Sequence, residues 1–302
     1  MPPWTAELTV SLELAQSLIA EQFPQLAPRH IEVLGIGWDN TAFLVDGQYV
    51  FRFPRRQLGA DLMEVEIRVL PALAGRLPLP IPLHPFAGEA TERFPWRFAG
   101  YRRLEGRTAC SQALDATQRH AAAATLGEFL AALHAIGRRE AEALGAPPDR
   151  LGRLDMSRRL PQVHERLAEI ARLGLIGDTQ AHQKVAEETA VALPSKAMTL
   201  VHGDVYVRHL LVDDKFRPCG IIDWGDMHVG SIALDLSIAH SFLPPRAHES
   251  FCRAYGFIDD ATWRLARFRA LHYGVILAQY GHAIDDHELL REALLTLEYV
   301  VQ

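Results

Sequence analysis

Apolar and polar positions along the 302-residue chain follow two different rhythms. After a short amphipathic stretch from Ser11 to Phe23, the segment from Ile31 to Phe53 carries the apolar runs IEVLGIG, TAFLV and YVFRF, separated by GWDN and DGQ. Short apolar runs broken by turn residues predict a hairpin or a three-stranded meander. Leu62, Val65, Val69 and Leu73 then recur at helical spacing, and Gly75 stands where a helix would stop, so a helix is predicted from Asp61 to Gly75. The proline-rich LPLPIPLHP, residues 77–85, cannot continue it, and RFAGYRRL, residues 97–104, offers a further strand before Glu105-Gly106 turns the chain. Residues 1–106 therefore group as one small mixed lobe.

From Asp115 the rhythm becomes helical. Leu126, Phe129, Leu130 and Leu133 fall on one stripe, and further helical stretches follow to about Val191. The exception is Thr199 to Trp224, where TLVHGDV, HLLVDD and CGIIDW are strand-like runs around the turn DDKFRP. Helices resume from Ile232. The expected class is α+β, a small N-terminal sheet lobe followed by a larger, mainly helical lobe over residues 107–302, with no internal repeat.

Composition narrows the function classes. Apolar residues make up 49% of the chain and charged ones 23%, the range of an ordinary globular protein. A net charge of −6 offers no basic face for nucleic acid, so polyanionic partners are not expected. Cys110, Cys219 and Cys252 form no CxxC, and no apolar run approaches a bilayer span, so reduced thiols, a cytoplasmic location and no membrane association are expected. Lysine occurs only at positions 184, 196 and 215; the other 28 of the 31 basic residues are arginines.

The candidate chemistry is concentrated in residues 202–226, HGDVYVRHLLVDDKFRPCGIIDWGD, which place five aspartates and two histidines around the ends of short apolar runs. Phosphoryl transfer needs a carboxylate to accept the proton of the attacking hydroxyl and hard ligands for a metal that bridges the phosphates. Asp204 and Asp223 suit those two roles.

HGDxxxxHLLxD followed by IIDWGD resembles the catalytic and metal motifs of the aminoglycoside and macrolide phosphotransferases, whose fold is protein-kinase-like and two-lobed. The resemblance implies Asp204 as catalytic base, Asp223 with His209 on the metal, and His202 as a structural residue of the catalytic loop. It implies Mg²⁺ or Mn²⁺ as cofactor, since imidazole at position 209 stands where aminoglycoside kinases carry asparagine and macrolide kinases carry histidine. GIGWDNTAFLV, residues 35–45, resembles the nucleotide loop of that family and implies Gly35, Gly37 and Asn40 against the phosphates. Arg52 occupies the place of the phosphate-contacting lysine and Glu66 that of its helix partner. GYRRLEG, residues 100–106, is similar to the hinge that meets the base of ATP or GTP around Arg103. Asp235 matches a position that braces the catalytic loop.

The implied activity is transfer of a γ-phosphate to a hydroxyl of an antibiotic or related metabolite, so the expected partners are a nucleotide and a small hydroxylated substrate. Two other readings stay open on the residues: a degenerate kinase that binds nucleotide without transfer, and a metal-dependent hydrolase using His202, Asp204, His209, Asp223 and His228. His134, on an apolar helical stripe, reads as a hydrogen-bonded core histidine. Asp285, Asp286 and Glu288 read as a solvated interhelical turn rather than a counter-surface for a cationic drug.

Overall fold

A computed structural model describes residues 6–190 and 197–302 of the chain. Helix α1 (Leu12–Gln22) begins where Ser11 Oγ accepts the N–H of Leu14 at 3.2 Å, a side-chain cap for an otherwise orphan donor. The runs that follow form strands β1 (Ile31–Ile36), β2 (Asn40–Val45) and β3 (Tyr49–Pro54), the predicted meander. Helix α2 (Gln57–Leu73) and strands β4 (Phe86–Gly88) and β5 (Phe98–Arg102) complete the first lobe. Its antiparallel sheet has the order β1-β2-β3-β5-β4.

Successive strand residues point to opposite faces, and here this decides where the chemistry goes. Phe51 and Phe53 of β3 turn into a core with Phe43, Phe94, Phe98 and the α1 residues Leu18 and Ile19, and the Phe53 and Phe98 rings stack at 4.4 Å. Arg52, between them, must face the other way, toward α2. That helix starts at Gln57, four residues ahead of the expected Asp61. Gly59 argues for a break in sequence, yet here it is a packing requirement: a Cβ at this position would lie 2.4 Å from the Asp39 carbonyl oxygen. Val69, Leu70 and Leu73 of the same helix belong to the core of the second lobe and tie the two together.

The second lobe begins with β6 (Arg107–Thr108), then α3 (Ala116–Ala121), α4 (Ala123–His134), α5 (Arg138–Leu144), α6 (Met156–Arg172) and α7 (Gln180–Ala190). Val191, where the helical pattern was expected to end, lies outside the described residues. Strands β7 (Thr199–Val201), β8 (Leu210–Val212), β9 (Pro218–Ile221) and β10 (His228–Gly230) lead into α8 (Ala233–Ser241), α9 (His248–Tyr255), α10 (Asp260–Ala283) and α11 (His287–Val300). The three strand-like runs do not form one sheet. β8 and β9 make a hairpin with β6 on its edge, while β7 pairs antiparallel with β10, two residues past the second aspartate motif. This crossover brings the ends of the two motifs together. The predicted stripe of α4 is buried at Leu126, Phe129, Leu130 and Leu133. A second core joins α6, α7, α10 and α11 through residues such as Leu167, Phe268, Leu271 and Leu297. Among the described residues no helix is long and apolar enough to cross a membrane.

Candidate active site

The chain leaves β7 at Val201 and enters a loop that Asp235 of α8 holds from below. The fully buried Asp235 carboxylate accepts the backbone N–H of His202 at 2.7 Å and of Gly203 at 2.8 Å, and His134 Nε2 stands 3.2 Å away. The other ring nitrogen of His134 meets the Tyr255 hydroxyl at 2.9 Å, so this residue is the satisfied core histidine its sequence context suggests. Gly203 has φ +83°, and a Cβ there would sit 2.4 Å from the Asp226 carbonyl oxygen, so only glycine allows the close approach of the two loops. His202 is buried with both nitrogens engaged: Nδ1 accepts the Asp204 N–H at 3.3 Å and Nε2 donates to the Ile222 carbonyl at 3.1 Å. Its imidazole thus spans from the first motif to the residue before Asp223.

Asp204 and Asp223 face each other across His209. His209 Nδ1 lies 2.8 Å from the Asp204 carbonyl oxygen and 3.5 Å from its Oδ2, while Nε2 lies 3.2 Å from Asp223 Oδ2. Asp223 adopts a left-handed backbone conformation, φ 62°, which aspartate tolerates better than most side chains. Its other oxygen, Oδ1, accepts from Arg52 at 2.9 Å. The same guanidinium donates to Glu66 Oε2 at 2.6 Å, and His84 Nε2 reaches that oxygen at 3.2 Å. A fork of donors joins strand β3, helix α2 and the second motif, a geometry arginine provides and lysine does not.

These contacts set the charge states. Burial alone would raise the Asp223 carboxyl, but Arg52 and His209 hold it well below the usual carboxylate range. Burial would lower the His209 imidazole; the Asp223 charge and hydrogen bond, with help from Asp204, push it up to about 9, so it is a cation at neutral pH. Asp204 moves the other way. Burial raises its proton affinity, Asp226 adds to the rise, and His209, Arg269 and a hydrogen bond from Tyr273 oppose it. A carboxyl raised in this way suits proton transfer better than an ordinary surface aspartate.

Of the residues singled out in the sequence, Asp204, His209, Asp223, Arg52 and Glu66 converge. Gly35, Gly37 and Asn40 lie together at the β1–β2 turn, where Gly37 N–H donates to the Asn40 carbonyl at 2.9 Å. A Cβ at Gly35 would meet nothing within 4 Å, so the turn itself does not demand glycine there. Arg103 follows β5, and its N–H is already bonded to the Gln48 carbonyl at 2.7 Å. That donor is therefore not available to a base, and contacts at this point would have to come from neighbouring backbone groups. The acidic turn is partly neutralised: Asp286 caps α11 through Leu289 N–H and pairs with Arg208.

Sequence reasoning missed His84, Tyr101, Tyr206, Tyr273 and Arg269. Arg269 Nη2 lies 4.0 Å from Asp204 Oδ1 and its guanidinium stacks 4.4 Å over the Tyr273 ring. No spacing signal links α10 to the HGD loop, so only the fold could reveal these neighbours.

Asp223 can serve a hard divalent cation, with a half-exposed carboxylate beside His209, which would have to give up a proton to ligate. Among the described residues no group of three or more histidine, cysteine or acidic side chains could hold a metal unaided. Mg²⁺ sites completed by substrate phosphates need only one or two protein carboxylates. The five-ligand hydrolase arrangement is not assembled, because both nitrogens of His202 are taken by the chain's own backbone.

Residues 30–270 match the model of the phosphotransferase enzyme family. No functionally curated protein matches the chain. Among solved structures, the chain is 26% identical to a GDP and kanamycin complex of APH(2")-IIia, with a TM-score of 0.68 over 95% of this chain and 97% of that one. It is similar in fold to a macrolide 2'-phosphotransferase, MphH, from Brachybacterium faecium, at 22% identity and a TM-score of 0.63 over 95% of this chain and 98% of that one. A streptomycin-ATP-APH(2")-IIa ternary complex shares the fold at 19% identity, with a TM-score of 0.61 over 96% and 97% of the two chains.

Proposed function

Because the chain belongs to the phosphotransferase enzyme family, we propose that it moves the γ-phosphate of ATP or GTP onto a hydroxyl of a small molecule, an antibiotic or a related hydroxylated metabolite, with Asp204 as the base. The observation that carries this reading is the pair Asp204 and Asp223 held on either side of His209, with Arg52 and Glu66 closing the nucleotide side. Neighbours of the same fold have been captured with GDP and kanamycin, and with ATP and streptomycin.

In this scheme the Asp204 carboxylate takes the proton of the acceptor hydroxyl as its oxygen bonds to the γ-phosphorus, and the bond to the β-phosphate oxygen breaks to release the nucleoside diphosphate. Burial of Asp204 raises its affinity for that proton. When bound at Asp223 and His209, Mg²⁺ or Mn²⁺ supplies positive charge against the phosphate oxygens. Arg52 adds a permanent cation, oriented by Glu66. Gly35, Gly37 and Asn40 offer backbone to the phosphates, and residues 100–106 form the hinge between a nucleotide lobe, 1–106, and an acceptor lobe, 107–302. The carbonyl side of Arg103 and its neighbours would meet the base.

Asp204→Asn should lower acceptor-dependent phosphate transfer from labelled ATP or GTP about 10²–10⁴-fold while nucleotide binding is kept. Turnover close to wild type would remove Asp204 from this role. One contact favours a second reading, a nucleotide binder without transfer: Arg52 sits directly on Asp223 at 2.9 Å. In that case Arg52→Lys combined with His209→Asn would raise transfer from background, whereas an active wild-type chain excludes it.

A further inference from the structure

We propose that the acceptor carries an anionic group, a carboxylate or a phosphate, which Arg269 receives beside Asp204; this rests on the kinase function above and narrows its substrate. The chain as a whole carries a net charge of −6, yet the side of the site formed by α6 and α10 is crowded with arginine. The Arg269 side chain is only 9% exposed, and its nearest carboxylate is Asp204, at the 4.0 Å limit of an ion pair. Among the described residues its other recorded partner is the Tyr273 ring. A guanidinium offers five N–H donors, and beyond the 4.0 Å approach to Asp204 no acceptor among the described residues is paired with this one, which leaves donors free for a ligand.

Its neighbours deepen the imbalance. Arg159 donates to the Gly152 and Leu151 carbonyls and to Gln162, and Arg166 to Gln279; neither reaches a carboxylate among the described residues. The nearby acids Asp149 and Asp226 are both taken by Arg153. Burial first, and then the charges of Arg158 and Arg269, depress the Arg159 guanidinium. Burial and the converging charges of Arg269, Arg159 and Arg166 push His272 down to about 3. Neither ring nitrogen of that buried histidine has a hydrogen-bond partner among the described residues. With Asp149 and Asp226 engaged by Arg153, positive charge is in excess around Arg269 and Arg159, and such an excess attracts an anion and disfavours a polycation. This side of the site therefore suits a hydroxylated acid or a phosphate ester over a polyamine sugar.

The test uses the full chain with Mg²⁺ and a non-hydrolysable ATP analogue filling the nucleotide cleft. Glycerate, glycerol 2-phosphate, glycerol and kanamycin are titrated in turn by calorimetry. At least one of the two anions should bind about 10- to 100-fold tighter than glycerol, the worth of one charge-assisted contact, and ahead of kanamycin. Arg269→Gln should remove that margin. Preference for glycerate identifies a carboxylate site, and preference for glycerol 2-phosphate a phosphate site. Anions that bind no tighter than glycerol, that keep their margin in Arg269→Gln, or that fall behind kanamycin overturn the proposal. Should Arg269→Gln fail to fold, Arg159→Gln takes its place and must shrink the same margin. Failure of the ATP analogue to bind counts against the kinase function itself, whatever the acceptors do.

Discussion

Arg52 shows how much one side chain can join. Its two terminal nitrogens reach Glu66 at 2.6 Å and Asp223 at 2.9 Å, and Glu66, fully buried, also meets His84. Taking one partner from a buried ion pair leaves the other charge uncompensated, which costs more than the pair itself contributes. Glu66→Ala should therefore destabilise the chain by roughly 3–5 kcal/mol, read as a lower urea midpoint with an unchanged slope. A shift of a few tenths of a kcal/mol would mean that Arg52 finds enough compensation in Asp223 alone. The pairing of Arg52 with Glu66 was legible from the order of motifs. The fork onto Asp223 was not, because the two residues are far apart in the chain and depend on the meeting of the lobes.

At the scale of elements, alternation and helical spacing described the chain well. β1 to β3, β5, α2 and α4 lie where their apolar periods place them. The misses have physical causes. β4, β6 and β10 are two or three residues long, too short for any period to register. α2 begins at Gln57, ahead of Asp61, and carries Gly59, a weak helix former, in its first turn because a Cβ there would meet the Asp39 carbonyl. Gly59→Ala should accordingly destabilise, by about 1–3 kcal/mol, the penalty of overpacking against backbone, despite the better helix propensity of alanine. A rise in melting temperature for that variant would show that the α2 entrance relaxes freely.

For the molecule as a whole, buried histidines decide the response to acid. Burial lowers His182, His240, His248 and His272, the last to about 3, against a usual value of 6.5. A group depressed in the folded state contributes stability above its unfolded pKa and loses it as pH falls below, since only the unfolded chain then takes up the proton. His209, raised to about 9, works in the opposite direction: its contribution is complete below 6.5 and is lost as pH rises through 9. The depressed group is larger, so the melting temperature should fall between about pH 7 and about pH 5, as followed by scanning calorimetry. A flat profile over that interval would mean that these rings accept protons in the folded state. The lobes also touch at the β1–β2 turn, where Trp38 meets Tyr280 of α10 edge to face at 5.8 Å and donates to its hydroxyl at 3.4 Å. Neither side of that contact has a signature in sequence.

The class of the fold, and the stretch that gathers the candidate acids, could be read from the residues alone, because helical and strand periods are local and HGD with IIDW lies within one short stretch of chain. His209 and Asp223 are neighbours because they flank the β8–β9 hairpin, whereas Asp204 joins them from the loop after β7, which the β7–β10 pairing sets in place. The chemistry around them waits for the packed chain: the fork from Arg52, the brace from Asp235, and Arg269 of α10 beside Asp204. Those contacts join residues separated by up to 171 positions, and burial and long-range charge, which set their proton affinities, exist only once the chain has packed.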